Sequence, residues 1–90
     1  MIQINYECHE LETCVLDGNL FTEVPRALLE NAEGLRELSV AKNKISNIST
    51  ELFEKWRELV YLDISANRFK EVPQFWLKSN KLTHFRAILN

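Results

Sequence analysis

Ninety residues, 46% of them hydrophobic and 27% charged, have the balance of one small soluble domain rather than of a disordered or membrane-embedded chain. Eleven basic against thirteen acidic side chains leave a net charge of −2 with both signs interspersed, so no basic run marks a nucleic-acid surface. No stretch approaches the roughly 18 apolar residues of a membrane span, and two cysteines without a CxxC or histidine grouping exclude a zinc site.

The first residues, Met1 to Glu7, lack the basic head and long apolar run of a signal peptide. Ile2, Ile4, Tyr6 and Cys8 alternate with polar residues, the pattern of a half-buried strand. His9-Glu10 would turn this strand into the next segment, so residues 1–10 read as an N-terminal capping hairpin strand. A rival reading makes them the tail of a preceding unit of the kind found downstream, but the spacing from Ile2 and Ile4 to Leu11 is short for one.

From Leu11 onward the chain repeats. Leu11-x-x-Cys14-x-Leu16-x-x-Asn19 is followed by Leu35-x-x-Leu38-x-Val40-x-x-Asn43, then Leu59-x-x-Leu62-x-Ile64-x-x-Asn67, then Leu82-x-x-Phe85-x-Ala87-x-x-Asn90. The leading leucines are 24, 24 and 23 residues apart. Three and a half units result: 11–34, 35–58, 59–81 and a partial 82–90. Each centre, x-Φ-x-Φ-x, predicts a short strand with alternate residues pointing inward. The return legs predict short helices. Pro25 suits the first position of Arg26-Ala27-Leu28-Leu29-Glu30, Ser49 caps a helix beginning at Thr50-Glu51, and Pro73 repeats the device before Gln74-Phe75-Trp76-Leu77. Gly34 stands where the first of these would stop. Phe53, Trp56 and Trp76 read as an aromatic core spine rather than a ligand cage.

These motifs resemble the leucine-rich repeat family in its typical 24-residue form, over residues 11–90. The resemblance implies an α/β leucine-rich repeat solenoid, with short parallel strands on the concave face and short helices or turns on the convex face. In such a coil Asn19, Asn43, Asn67 and Asn90 are expected to line up as a buried ladder. Their amides would satisfy backbone groups that cost about 1–3 kcal/mol each if buried unpaired. The last apolar layer, Leu82, Phe85 and Ala87, is expected to need a cover, which makes self-association through the C-terminal end one expectation.

Cys14 takes an inward position, where a small buried hydrophobe is one reading. The family supplies another, because extracellular members often open with a cysteine-containing cap; this implies a Cys8–Cys14 disulfide, although the usual four-cysteine cluster is absent. Asn47-Ile48-Ser49 is a glycosylation acceptor just beyond the ladder. The 24-residue form is similar to that of animal extracellular proteins such as Toll-like receptor ectodomains and secreted arthropod immune proteins, and so implies an extracellular location.

On each strand the remaining positions face the concave side. One column is Thr13, Glu37, Tyr61 and His84; the next is Val15, Ser39, Asp63 and Arg86. Flanking columns are Glu12, Arg36, Val60, Thr83 and Asp17, Ala41, Ser65, Ile88. This variable wall suits protein recognition, and Glu37, Ser39, Tyr61, Asp63, His84 and Arg86 are its candidate partner-binding residues. Asp63 and Arg86 could alternatively pair with each other as a surface ion pair. His84 is a conceivable base beside Ser39, Ser65 or Thr13, yet the wall is open and there is no glycine-rich phosphate loop, so neither catalysis nor a cofactor is expected. The expected role is therefore a non-catalytic recognition module, part of an extracellular receptor or a secreted, innate-immune protein, holding a protein ligand or co-receptor. An intracellular scaffold or regulatory subunit is the alternative.

Overall fold

The computed structural model describes residues 7–9, 12–26, 33–72, 74–78 and 82–88. Along the chain run strands β1 (Glu7–His9), β2 (Thr13–Val15) and β3 (Glu37–Ser39), helix α1 (Thr50–Lys55), strand β4 (Tyr61–Asp63), helix α2 (Gln74–Leu77) and strand β5 (His84–Arg86). The strands form one sheet in chain order. β1 lies antiparallel to β2, and every later pair is parallel.

Parallel pairing at constant register follows from the repeat itself. Each backbone group meets the group one unit further along: Leu16 N–H donates to the Ser39 carbonyl at 2.8 Å, Val40 to Asp63 at 2.9 Å and Ile64 to Arg86 at 2.9 Å. The same step recurs in the turns, where the N–H groups of Gly18, Lys42 and Ala66 donate to the carbonyls of Ala41, Ser65 and Ile88. The coil is thus stitched to its neighbour at both strand and turn.

Inward residues stack into columns. Cys14, Leu38 and Leu62 form one and Leu16, Val40 and Ile64 the next, all with no exposed surface. Behind them Ile45, Ile48, Leu52, Leu59 and Phe69 close the interior. α1 begins as the sequence reading expects: the Ser49 hydroxyl oxygen accepts from Leu52 N–H at 3.1 Å, Glu51 sits in the first turn and Lys55 in the last. Its inner face carries Leu52 and Phe53. Phe53 stacks on Trp76, with centroids 5.5 Å apart and planes at 15°, while Trp56, Phe69 and Phe85 meet this pair edge-on at 5.7–6.1 Å. Such offset and edge contacts add to the burial of large rings. Leu82, Phe85 and Ala87 are half-buried against this core.

Residues 1–6, most of the helix expected from Arg26 to Glu30, and Asn90 lie outside the described residues.

Candidate functional site

Three asparagines set the frame on which the wall is carried. Asn19 and Asn43 are buried and Asn67 is half-buried. Asn43 Nδ2 donates to the carbonyls of Leu16, Val40 and Ala41 at 3.0, 2.9 and 3.1 Å, and its Oδ1 accepts from Asn19 N–H at 2.9 Å and Phe21 N–H at 3.1 Å. Asn67 does the same one unit on. It donates to Val40, Ile64 and Ser65 carbonyls and accepts from Ile45 N–H at 3.0 Å. Asn19 Nδ2 reaches the carbonyls of Leu16 and Asp17. Both faces of the Asn43 and Asn67 amides are used, and each bridges its own coil to the preceding one.

The chain enters each asparagine through a residue in the left-handed region: Gly18 at φ 70°, Lys42 at 57° and Ala66 at 56°. Glycine adopts this readily, but a residue with a Cβ does so at a cost of about 1–2 kcal/mol. The hydrogen bonds of the following amide hold it there.

Outward from this frame, the two predicted columns coincide with the strand register. Thr13, Glu37, Tyr61 and His84 are successive Cα partners, as are Val15, Ser39, Asp63 and Arg86. A shallow hollow of ≈ 300 Å³ opens on β2–β4, and Glu37, Ser39, Tyr61 and Asp63 line it together with Thr13 and Asp17. His84 and Arg86 stand exposed on β5, beside Tyr61 and Asp63 but outside the lining. The six candidate residues are therefore contiguous, with four around the hollow and two along its flank.

Local bonds fix several of them. Glu37 Oε2 accepts from the Thr13 hydroxyl at 3.1 Å. The Ser39 hydroxyl donates to Asp17 Oδ1 at 2.6 Å, and the same oxygen accepts from Ala41 N–H at 2.9 Å. Asp63 Oδ1 accepts from Ser65 N–H at 2.9 Å. The alternative of an Asp63–Arg86 ion pair is not what forms: among the described residues the two are register partners without a salt bridge. The His84 ring meets the Thr83 hydroxyl at 3.0 Å through Nδ1.

Two features differ from the sequence reading. Ala41, expected on the concave flank, is buried, because the turn it begins is drawn in by the Asn43 and Asp17 bonds. Asp17, expected to be one more wall residue, ties the first two coils together through Ser39 and Ala41. The only sequence signal for that role is an acid placed one unit before an alanine that cannot itself reach out. Among the described residues no group of three or more His, Cys, Asp or Glu side chains could hold a metal.

Away from the wall, Cys14 is disulfide-bonded and Cys8 is its Cα partner across β1 and β2. Asn47 is exposed and lines a second groove of ≈ 210 Å³. No helix among the described residues is long and apolar enough to cross a membrane.

A family model described as "Leucine rich repeat" matches residues 9–69. Among curated proteins, bovine (Bos taurus) prolargin is 36% identical over 58 residues, which is 64% of this chain and 15% of prolargin. Human (Homo sapiens) podocan-like protein 1 is 38% identical over 65 residues, covering 70% of this chain and 13% of that protein. The probable serine/threonine-protein kinase roco9 of Dictyostelium discoideum is 37% identical over 68 residues, covering 76% of this chain and 2% of the kinase. The chain thus spans a minor fraction of each relative. No solved structure gives a significant match. The repeating strand register, the bridging asparagines and a family match over two-thirds of the sequence agree: the chain belongs to the leucine-rich repeat family.

Proposed function

We propose that this chain is a non-catalytic protein-recognition module whose concave wall holds a protein partner. The observation that carries the reading is the contrast on each strand: inward side chains repeat, while outward ones differ, with Glu37, Ser39, Tyr61 and Asp63 lining one hollow and His84 and Arg86 on the strand beside it. A rigid parallel frame holds these side chains in place before binding, which limits the ordering cost of association. Tyr61 and Arg86 are of the types that dominate interface energy. The test is a photo-crosslinking side chain placed at Tyr61 and, separately, at exposed Glu54 on α1. Capture of a partner from Tyr61 alone is the expected result, and capture from Glu54 alone would overturn the assignment of the concave face.

The module works, on this reading, outside the cell, within a receptor or a secreted recognition protein such as an innate-immune one. Support comes from the Cys14 disulfide, since disulfides persist in oxidising compartments. Cys8 is its proposed partner, and residues 1–10 would then be a cap clamped to the first of the units at 11–34, 35–58, 59–81 and 82–90. A second reading, an intracellular scaffold or regulatory subunit, is favoured by the similarity to a named kinase. Alkylation of the native chain separates them: no reactive thiol is expected, and two reactive thiols would favour the intracellular role.

A further inference from the structure

Asn47 and Ser49 break the repeat in concert. One unit away, Glu23 and Glu71 stand in the place of Asn47, and Pro25 and Pro73 in the place of Ser49. Glu23, Asn47 and Glu71 are all exposed, so this edge of the coil is open to solvent at each turn. Proline starts a helix by its fixed φ. Serine at the same place starts α1 differently, with φ −63° and ψ 145° and its hydroxyl oxygen accepting from Leu52 N–H. The exchange of Pro for Ser therefore keeps the helix start and, with Asn for Glu, creates an N-x-S acceptor. Among the described residues nothing hydrogen-bonds the Asn47 amide. Asn47 and Ser49 themselves line a groove with Thr22, Glu23, Val24 and Arg26, and this groove shares no residue with the concave hollow.

We propose that Asn47 is an N-glycosylation site, with an oligosaccharide linked to a polyprenyl pyrophosphate as the donor class. Asn47 Nδ2 attacks the anomeric carbon of the sugar. The C–N bond forms as the bond from that carbon to the pyrophosphate oxygen breaks, the nitrogen gives up one proton to the transferase, and the lipid pyrophosphate leaves. Ser49 serves twice: its hydroxyl completes the acceptor while the chain is extended and caps α1 once the chain folds. The glycan then stands over the Thr22–Arg26 groove and leaves the concave wall clear. This inference rests on the extracellular reading.

The chain is passed through the secretory pathway of an animal cell and digested with a peptide N-glycosidase. A loss of mass that leaves an aspartate in place of Asn47 is expected. N47Q should abolish the shift at an unchanged melting temperature, S49A should abolish it and lower the melting temperature, and S49T should keep both. A secreted chain with no reactive thiol and no glycan overturns the site alone. One with two reactive thiols and no glycan overturns the compartment and the site together.

Discussion

Two sides of the same three-residue strands obey different rules. On the inner side, position after position is filled by an aliphatic residue, Leu38 and Leu62 in one column and Val40 and Ile64 in the next, all fully buried. On the outer side, one residue away along the backbone, Glu37 is followed by Tyr61 and His84, and Ser39 by Asp63 and Arg86. Strand geometry separates the two sets by pointing successive side chains to opposite faces. The inner side must fit the coil above and below, so its chemistry is dictated by the neighbouring repeat. The outer side is not packed between coils in this way; single bonds such as Thr13–Glu37 and Ser39–Asp17 link its neighbours, and its residue types differ from repeat to repeat. What repeats specifies the fold; what departs from the repeat is, on the proposed function, what a partner would meet.

If that division is right, the largest losses of stability come from the inner side. Leu62→Ala, at the centre of the parallel sheet, should cost about 3–4 kcal/mol. In a chain of this size each kcal/mol lowers the melting midpoint by about 4–8 °C, so the variant should be largely unfolded when warmed modestly; a loss below about 1 kcal/mol would mean the column is not packed as described. Asn43→Ala comes next, at about 2–3 kcal/mol, because it strips partners from the N–H groups of Asn19 and Phe21 and from three carbonyls. Denaturant titration beside Asn47→Ala, which should be neutral, isolates the effect of the buried amide.

The inner side was also the part most legible in the sequence. Leucines about 24 residues apart were enough to place the strands, and the asparagine eight residues after Leu35 and Leu59 marks the two residues, Asn43 and Asn67, that bridge the described coils. Ser49 before Thr50-Glu51 was enough to start α1. The left-handed turn residues were not legible, because Gly18 announces one but Lys42 and Ala66 look like ordinary residues; their backbone is set by the bonds of the next asparagine. The outward columns could be assigned from alternation alone, whereas the hollow depends on how far each side chain reaches. Hence Asp17, bound to Ser39 and Ala41, joins the lining, while His84 and Arg86 flank it.

That hidden backbone demand sharpens the comparison with a smaller, signed effect. Ala66→Gly removes a left-handed alanine and should raise stability by about 0.5–1 kcal/mol. Gly18→Ala should lose a similar amount. Among the described residues nothing lies within 4 Å of where a Cβ at Gly18 would sit, so backbone strain dominates the expected cost. Equal and opposite shifts in the denaturation midpoint would show that the turn conformation is shared across repeats, and shifts of the same sign would contradict it.

The outer side should barely register in the same measurements. Tyr61 is half-buried and Arg86 exposed, and among the described residues neither side chain hydrogen-bonds a backbone group. Tyr61→Ala and Arg86→Ala should therefore each change stability by less than about 1 kcal/mol. Binding is where they should matter. A partner captured at the wall should lose about tenfold or more in affinity for each variant, equivalent to about 1.4 kcal/mol. The absent Asp63–Arg86 ion pair makes this sharper. Among the described residues Arg86 has no carboxylate to release before it meets a partner, and truncating it strands no buried charge among them, so a loss of affinity would belong to the interface rather than to a rearranged wall. Variants that destabilise the fold yet bind normally once folded would place recognition elsewhere, and the division between the two faces would fail at the point where it claims most.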